Sequence, residues 1–229
     1  MYNTKQTEFS NMPINLYPRN RISEHKVKRF IATFYVVGAF GFLIPLTKEL
    51  FITITPIALL LNTYLLAIYH NKYSLKAIAV FTLIFLLGFF IEVIGVNTGL
   101  IFGSYQYGSG LGVKIFDTPL LIGVNWLFLT YACSSVLHRL RINKNLSVIM
   151  TALLMLGYDL ILEQVAPKMD MWHWEGGLIP IQNYMAWFAI ALLFAALLRF
   201  FRINLKNSLS GTLLIAQFIF FVVLMFILK

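Results

Sequence analysis

The 229-residue sequence has a single cysteine, Cys133. An internal disulfide and a thiolate metal site are therefore both excluded, and a lone thiol among apolar neighbours is expected to pack as a small hydrophobe. Charge is also scarce, at 12% of residues against 59% apolar, which leaves too little polar surface to cover a water-soluble domain. There is no low-complexity tract, no defensible internal repeat and no linker long enough to divide the chain. The first 29 residues lack an apolar core followed by a small-residue cleavage site, so no removable signal peptide is expected there.

What the chain does contain is a series of apolar runs of bilayer-spanning length. They lie at about Phe30 to Leu46, Phe51 to Tyr69, Ala77 to Val96, Leu120 to Leu137, Leu146 to Val165, Tyr184 to Phe201 and Thr212 to Leu228, each near the roughly 20 residues a spanning helix needs. The expected fold is an all-α polytopic membrane bundle of about seven transmembrane helices. A basic N-terminal segment over 1–29 would precede a single transmembrane domain over 30–229. With the N-terminus in the cytoplasm, fourteen of the eighteen Lys and Arg residues fall inside with two carboxylates, and four fall outside with seven. That asymmetry follows the positive-inside rule.

The excess of positive charge is thus a topology signal. It does not predict nucleic-acid binding, because the cations are spread over short loops beside the spans. The Gly-rich segment Gly103 to Gly112 lacks the lysine and strand-to-helix setting of a phosphate cradle. The last span carries no lysine for a retinal Schiff base. His173 is the only outer histidine, and with Asp170 and Glu175 it matches no established ligand spacing, so no metal is expected.

The strongly polar side chains within the spans converge on the outer half, apart from Asn62 and Gln217. Glu92 and Asn97 lie near the outer end of the third span, and Asn125 lies about two turns into the fourth. Asp159 and Glu163 close the fifth, and Gln182 and Asn183 open the sixth. Such groups are costly in hydrocarbon and normally face a bundle interior or a cavity. Asp159 and Glu163, four residues apart, share one helical face. Two such carboxyls do not both ionise easily, and a protonated acid beside a hydrogen-bonding neighbour is an arrangement that general acid catalysis uses. The structural alternative is that they pair with Lys168, with each other or with the Asn side chains to hold helices together.

Glu92 sits in the strip Gly88, Glu92, Gly95, Gly99, which suits close helix packing and a catalytic carboxyl equally well. Asp117-Thr118-Pro119 reads as an N-cap with an early helical proline. Trp172 and Trp174 can form an interfacial belt or stabilise a cation.

Spaced motifs over residues 85–200 resemble the CruF-type carotenoid hydratases. They are Gly103-x-Tyr105-x-Tyr107 with Leu111-Gly112, Pro119 to Ile122 running on to Asn125-Trp126, Asp159-x-x-x-Glu163 with Pro167, and Trp172-x-Trp174 through Gly177, Pro180, Asn183 and Trp187. The resemblance implies a hydro-lyase of carotenoid biosynthesis in the bacterial inner membrane, with its site in the outer half. It would add water to the terminal double bond of an acyclic end group of the lycopene or γ-carotene type, giving a tertiary alcohol without a redox cofactor. Asp159 and Glu163 become candidates for acid and proton relay, with Glu92 in reserve. Asn125, Asn183 and Tyr107 would orient water, Trp126, Trp172 and Trp174 would line the cation site, and Tyr105 and Trp187 would contact substrate.

The implied partners are a lipophilic carotenoid, the lipid bilayer and other carotenoid-pathway enzymes. Alternatives are a lycopene-type cyclase, which protonates the same end but adds no oxygen, a non-catalytic carotenoid-binding protein, or a transporter. The lack of an inverted repeat weighs against the last.

Overall fold

A computed structural model describes residues 17–140 and 142–228; positions 1–16, with Lys5 and Glu8 of the basic segment, and the cations Arg141 and Lys229 lie outside the described residues. Among the described residues, seven α-helices form a bundle: α1 Glu24–Leu43, α2 Pro45–Ile68, α3 Leu75–Thr98, α4 Leu120–Arg139, α5 Lys144–Val165, α6 Ile181–Phe200 and α7 Ser210–Ile227. The six from α2 to α7 are long and apolar enough to cross a membrane. α1 has the length, at 20 residues, but carries Lys26, Lys28 and Arg29 in its first turns.

Local signals explain the boundaries. Pro45 can open a helix but not continue one, so α1 stops and α2 starts around the single residue Ile44. The expected loop between Leu46 and Phe51 is therefore helical, and Lys48 and Glu49 belong to α2. Ser74 caps α3 by accepting from the Ala77 amide, and Gly99 ends it with a φ of 67°. α5 passes into a 3₁₀ turn over Ala166–Met169, with Pro167 in its first turn.

α4 is the hub. Its span is 72% buried, whereas no other exceeds 39%, and it packs on α2, α3, α5, α6 and α7. At one end of the bundle the short connections lock together. Arg19 Nη1 donates to the carbonyls of Ile68 (3.0 Å) and His70 (2.8 Å). Asn71 pairs with Lys206 through the backbone, and Arg139 donates to the Asn207 carbonyl.

The opposite end holds what helical periodicity does not show, four short strands in two ribbons. β1 Tyr105–Tyr107 pairs antiparallel with β4 Trp172–Trp174, and β2 Lys114–Ile115 pairs with β3 Thr118–Pro119. The expected cap at Asp117 is corrected here. Phe116 and Asp117, at φ 53° and 59°, form the two-residue turn of the β2–β3 hairpin, a left-handed conformation that Asp tolerates well. The residue preceding α4 is Pro119, with no side-chain cap.

A glycine pair tests the packing. A Cβ at Gly88 would lie 2.8 Å from Trp126 Cβ, whereas one at Gly157 would meet nothing within 4 Å. Gly88→Ala should therefore cost about 1–3 kcal/mol through overpacking, and Gly157→Ala should gain roughly 0.5–1 kcal/mol of helix stability. Thermal unfolding in detergent should move in opposite directions for the two, and equal shifts would contradict the α3–α4 contact.

Candidate functional site

Strand alternation sends successive side chains to opposite faces, and β1 and β4 use this to build a roof of aromatic residues. The register pairs Tyr105 with Trp174, Gln106 with His173 and Tyr107 with Trp172. The four aromatic residues are buried under the ribbon, while Gln106 and His173 face outward, exposed. The inward rings touch one another, with centroids 5.1 Å apart for Tyr105 and Trp174 and 5.4 Å for Tyr105 and Tyr107. Their polar atoms then divide between two carboxylates below.

Glu92, on α3, takes the tyrosines. Its Oε2 accepts from Tyr105 Oη at 2.6 Å and Tyr107 Oη at 2.7 Å, and its Oε1 accepts from Trp126 Nε1 at 2.8 Å. The glycine strip explains the geometry. Gly88 lets α4 approach until Trp126 reaches Glu92, and Gly95 leaves room for Phe102. Burial, and then the charge of Glu92, push both phenols above their ordinary pKa, so they remain donors.

Glu163, on α5, takes the indoles. Its Oε2 accepts from Trp174 Nε1 at 2.7 Å and Trp172 Nε1 at 3.1 Å, and its Oε1 accepts from Asn183 Nδ2 at 2.9 Å. One turn earlier, Asp159 Oδ2 accepts from the same Asn183 amide at 3.4 Å. Asp159 Oδ1 is buried and has no partner among the described residues. The three carboxyl groups are each at most 3% exposed. Lys168 does not serve them, since its Nζ donates to the Leu228 carbonyl at 2.5 Å.

Between the two clamped carboxylates lies a cavity of about 20 Å³ walled by Glu92, Glu163, the ribbon's four aromatic residues, Asn183, Trp187, Phe102 and Ile122. That is room for about one water. Trp126 stacks on Trp187 at 4.1 Å and 28°, so the indole holding Glu92 is itself held.

The structure thus brings together Glu92, Asp159, Glu163, Tyr105, Tyr107, Trp126, Trp172, Trp174, Asn183 and Trp187, with Asp159 behind Asn183 and outside the cavity wall. Asn125 is placed elsewhere, in an adjoining cavity of about 10 Å³ with Tyr158 and Gln217. Its helical phase, about one residue from Trp126, turns it away from Glu92. Asn97 and Gln182 tie down loops, donating to the carbonyls of Phe116 (3.2 Å) and Leu100 (2.5 Å) respectively. Sequence reasoning missed Phe102 and Tyr158, and it noted Ile122 and Gln217 without assigning them to the site. The missed element is the ribbon, whose signal was the spacing of two in Tyr105-x-Tyr107 and Trp172-x-Trp174.

The chain belongs to the family described as carotenoid biosynthesis protein, which it matches over residues 51–229. The match takes in every residue of the cavity wall. The chain matches no curated protein and no solved structure.

Asp170 fastens the ribbon from outside. Its Oδ2 accepts from the Ser109 amide (2.7 Å) and hydroxyl (2.5 Å), its Oδ1 bonds His173 Nε2 (2.9 Å), and its carbonyl accepts from Gly110 N (2.7 Å). The hydrogen bonds from His173 and Ser109 pull its carboxyl from 3.8 down to about 2. A lowered folded value means that the clamp is at full strength above 3.8 and is lost as pH falls through about 2. Hydrogen exchange at the Gly108 and Gly110 amides should show protection that is constant above pH 4 and declines below it. Asp170→Asn should lower that protection at neutral pH, and unaltered protection would show that the clamp is not holding the strand.

Proposed function

We propose that the protein is a hydratase acting on the acyclic end group of a carotenoid. The observation that supports this reading most directly is the cavity for about one water between Glu92 and Glu163, each held by three hydrogen-bond donors. The reaction begins when Glu163, at the cavity wall, gives its proton to the CH carbon of the terminal trisubstituted double bond. The π electrons form the C–H bond, and the neighbouring carbon becomes a tertiary cation. Water attacks that carbon and its released proton returns to the carboxyl pair, so the net change is the addition of H₂O with no electron transferred to a cofactor. Asp159, with one oxygen free of donors, stores the proton while the site is empty and passes it to Glu163 as the end group arrives, and the Asn183 amide, which donates to both carboxyls, holds the two together.

An ordinary carboxylic acid is a poor donor to an alkene. At Glu163, however, two indoles and an amide already solvate the anion left by proton transfer, and Glu92 with the aromatic faces stabilises the cation. Turnover near one per second requires a barrier of roughly 17 kcal/mol. Removing a single preorganised donor in such a site typically costs about 10²–10³ in rate. Water held beside the carboxyl pair favours hydration over cyclisation.

Glu163→Gln should lower hydration at least a hundredfold, Trp174→Phe at least tenfold and Asp159→Asn at least tenfold, each in protein that is normally expressed and folded. Wild-type activity in Glu163→Gln or Asp159→Asn would remove that residue from the mechanism. The proposed setting is the bacterial inner membrane, with α1 as a seventh span, the N-terminus inside and the ribbon in the outer half. The basic residues around the interlocked end of the bundle support this. A reporter active only outside the cytoplasm should work when joined after Lys229 and fail when joined after Asn143, and the reverse result would overturn the orientation.

A further inference from the structure

Gln217 is the one strongly polar side chain in the apolar helix α7, and it is 1% exposed. Neither its Oε1 nor its Nε2 has a hydrogen-bond partner among the described residues. A buried amide left unsatisfied on both atoms costs free energy that a leucine of similar size would not. Its position suggests what offsets that cost. Gln217 lines two cavities at once: the 10 Å³ one with Asn125 and the unpartnered Tyr158 hydroxyl, and one of about 220 Å³ between α1, α2 and α7.

The larger cavity is walled by aromatic and aliphatic side chains, among them Phe34, Phe42, Phe51 and Phe220. At its rim, Val37 and Ile54 are exposed on the outer face of the bundle, 54% and 36% respectively, so it opens sideways to the surface that would meet lipid. An apolar cavity of about 150 Å³ accommodates a benzene ring, so this one holds about nine carbons of a chain, nearly two isoprene units. The small polar cavity, in turn, shares Trp172 and Ile122 with the wall around Glu92 and Glu163. A sideways apolar opening, a polar junction and the carboxyl site therefore follow one another through shared walls.

We propose that a linear polyene reaches the carboxyl site through the cavity between α1, α2 and α7, and that Gln217 at its inner end hydrogen-bonds the water that is passed on to the Glu92–Glu163 cavity. This rests on the hydratase reading and names its access route and water site. The amide supplies an acceptor and a donor, Tyr158 and Asn125 complete the ring of partners, and water there would stand beside Trp172 at the edge of the reaction site.

The test uses full-length protein loaded with lycopene in detergent, with bound polyene read from visible absorbance and hydration from ¹⁸O incorporation. Ala58→Trp, which fills the cavity, should lower bound lycopene at least fivefold, while Leu60→Trp on the exposed side of the same helix should leave it within twofold of wild type. Gln217→Leu should unfold at the same or a higher temperature and hold lycopene within twofold of wild type. Its hydration kcat should fall at least tenfold with KM unchanged. A folded Ala58→Trp variant that binds like wild type overturns the route, and wild-type turnover in Gln217→Leu overturns the water site. Wild-type protein that holds no lycopene overturns the cavity as a polyene site. Lycopene bound without oxygen addition, but displaced by Ala58→Trp, overturns the hydratase reading while supporting the cavity.

Discussion

Two carboxylates buried among apolar helices set the terms for the ribbon end of this molecule. Desolvating such an ion costs several kcal/mol even after relaxation, and each charge-assisted hydrogen bond returns about 1.5–3 kcal/mol. Glu92 and Glu163 each have three donors, a number of the right order to keep them in place. Four of the six donors come from the β1–β4 ribbon. The ribbon is therefore held down by the carboxylates, and the carboxylates are tolerated because of the ribbon.

The rest of the structure serves that mutual dependence. Gly88 and Gly95 bring Trp126 and Phe102 close to Glu92. The Trp126–Trp187 stack joins α4 to α6, and Asn183 in the first turn of α6 ties both carboxyls of α5. Asp170 fixes the outer surface of the ribbon through Ser109 and His173. At the other end, Arg19, Arg139 and Asn207 knit the connections into a closed base. One end of the bundle is thus a fastened floor, and the other sets two clamped carboxyl groups around a space for about one water beneath an aromatic roof.

Much of this was legible in the sequence. Hydropathy marked the helices because an apolar run of that length has no other stable setting, and the depth of Glu92, Asp159, Glu163 and Asn183 followed from helical rise. What stayed hidden depended on contacts between distant segments. Tyr105 and Trp174 are opposed only once the bundle has folded, so the ribbon looked like two unrelated aromatic loops. Asn125 lay at the right depth but on the wrong face, and depth alone carries no information about azimuth. Gln217 stood out as a polar exception, and its meaning came only from the cavities on either side. The loop expected around Lys48 was a charge signal overridden by Pro45, which starts a new helix at once.

The central claim is that water is added at the Glu92–Glu163 cavity. The most direct test is mass spectrometry of pigments from cells that make a linear carotene, with and without this protein, grown in ¹⁸O-labelled water. The account predicts a new product heavier by one water that carries the label. A new isomer of unchanged mass, or no new product where the protein is abundant and folded, would contradict it.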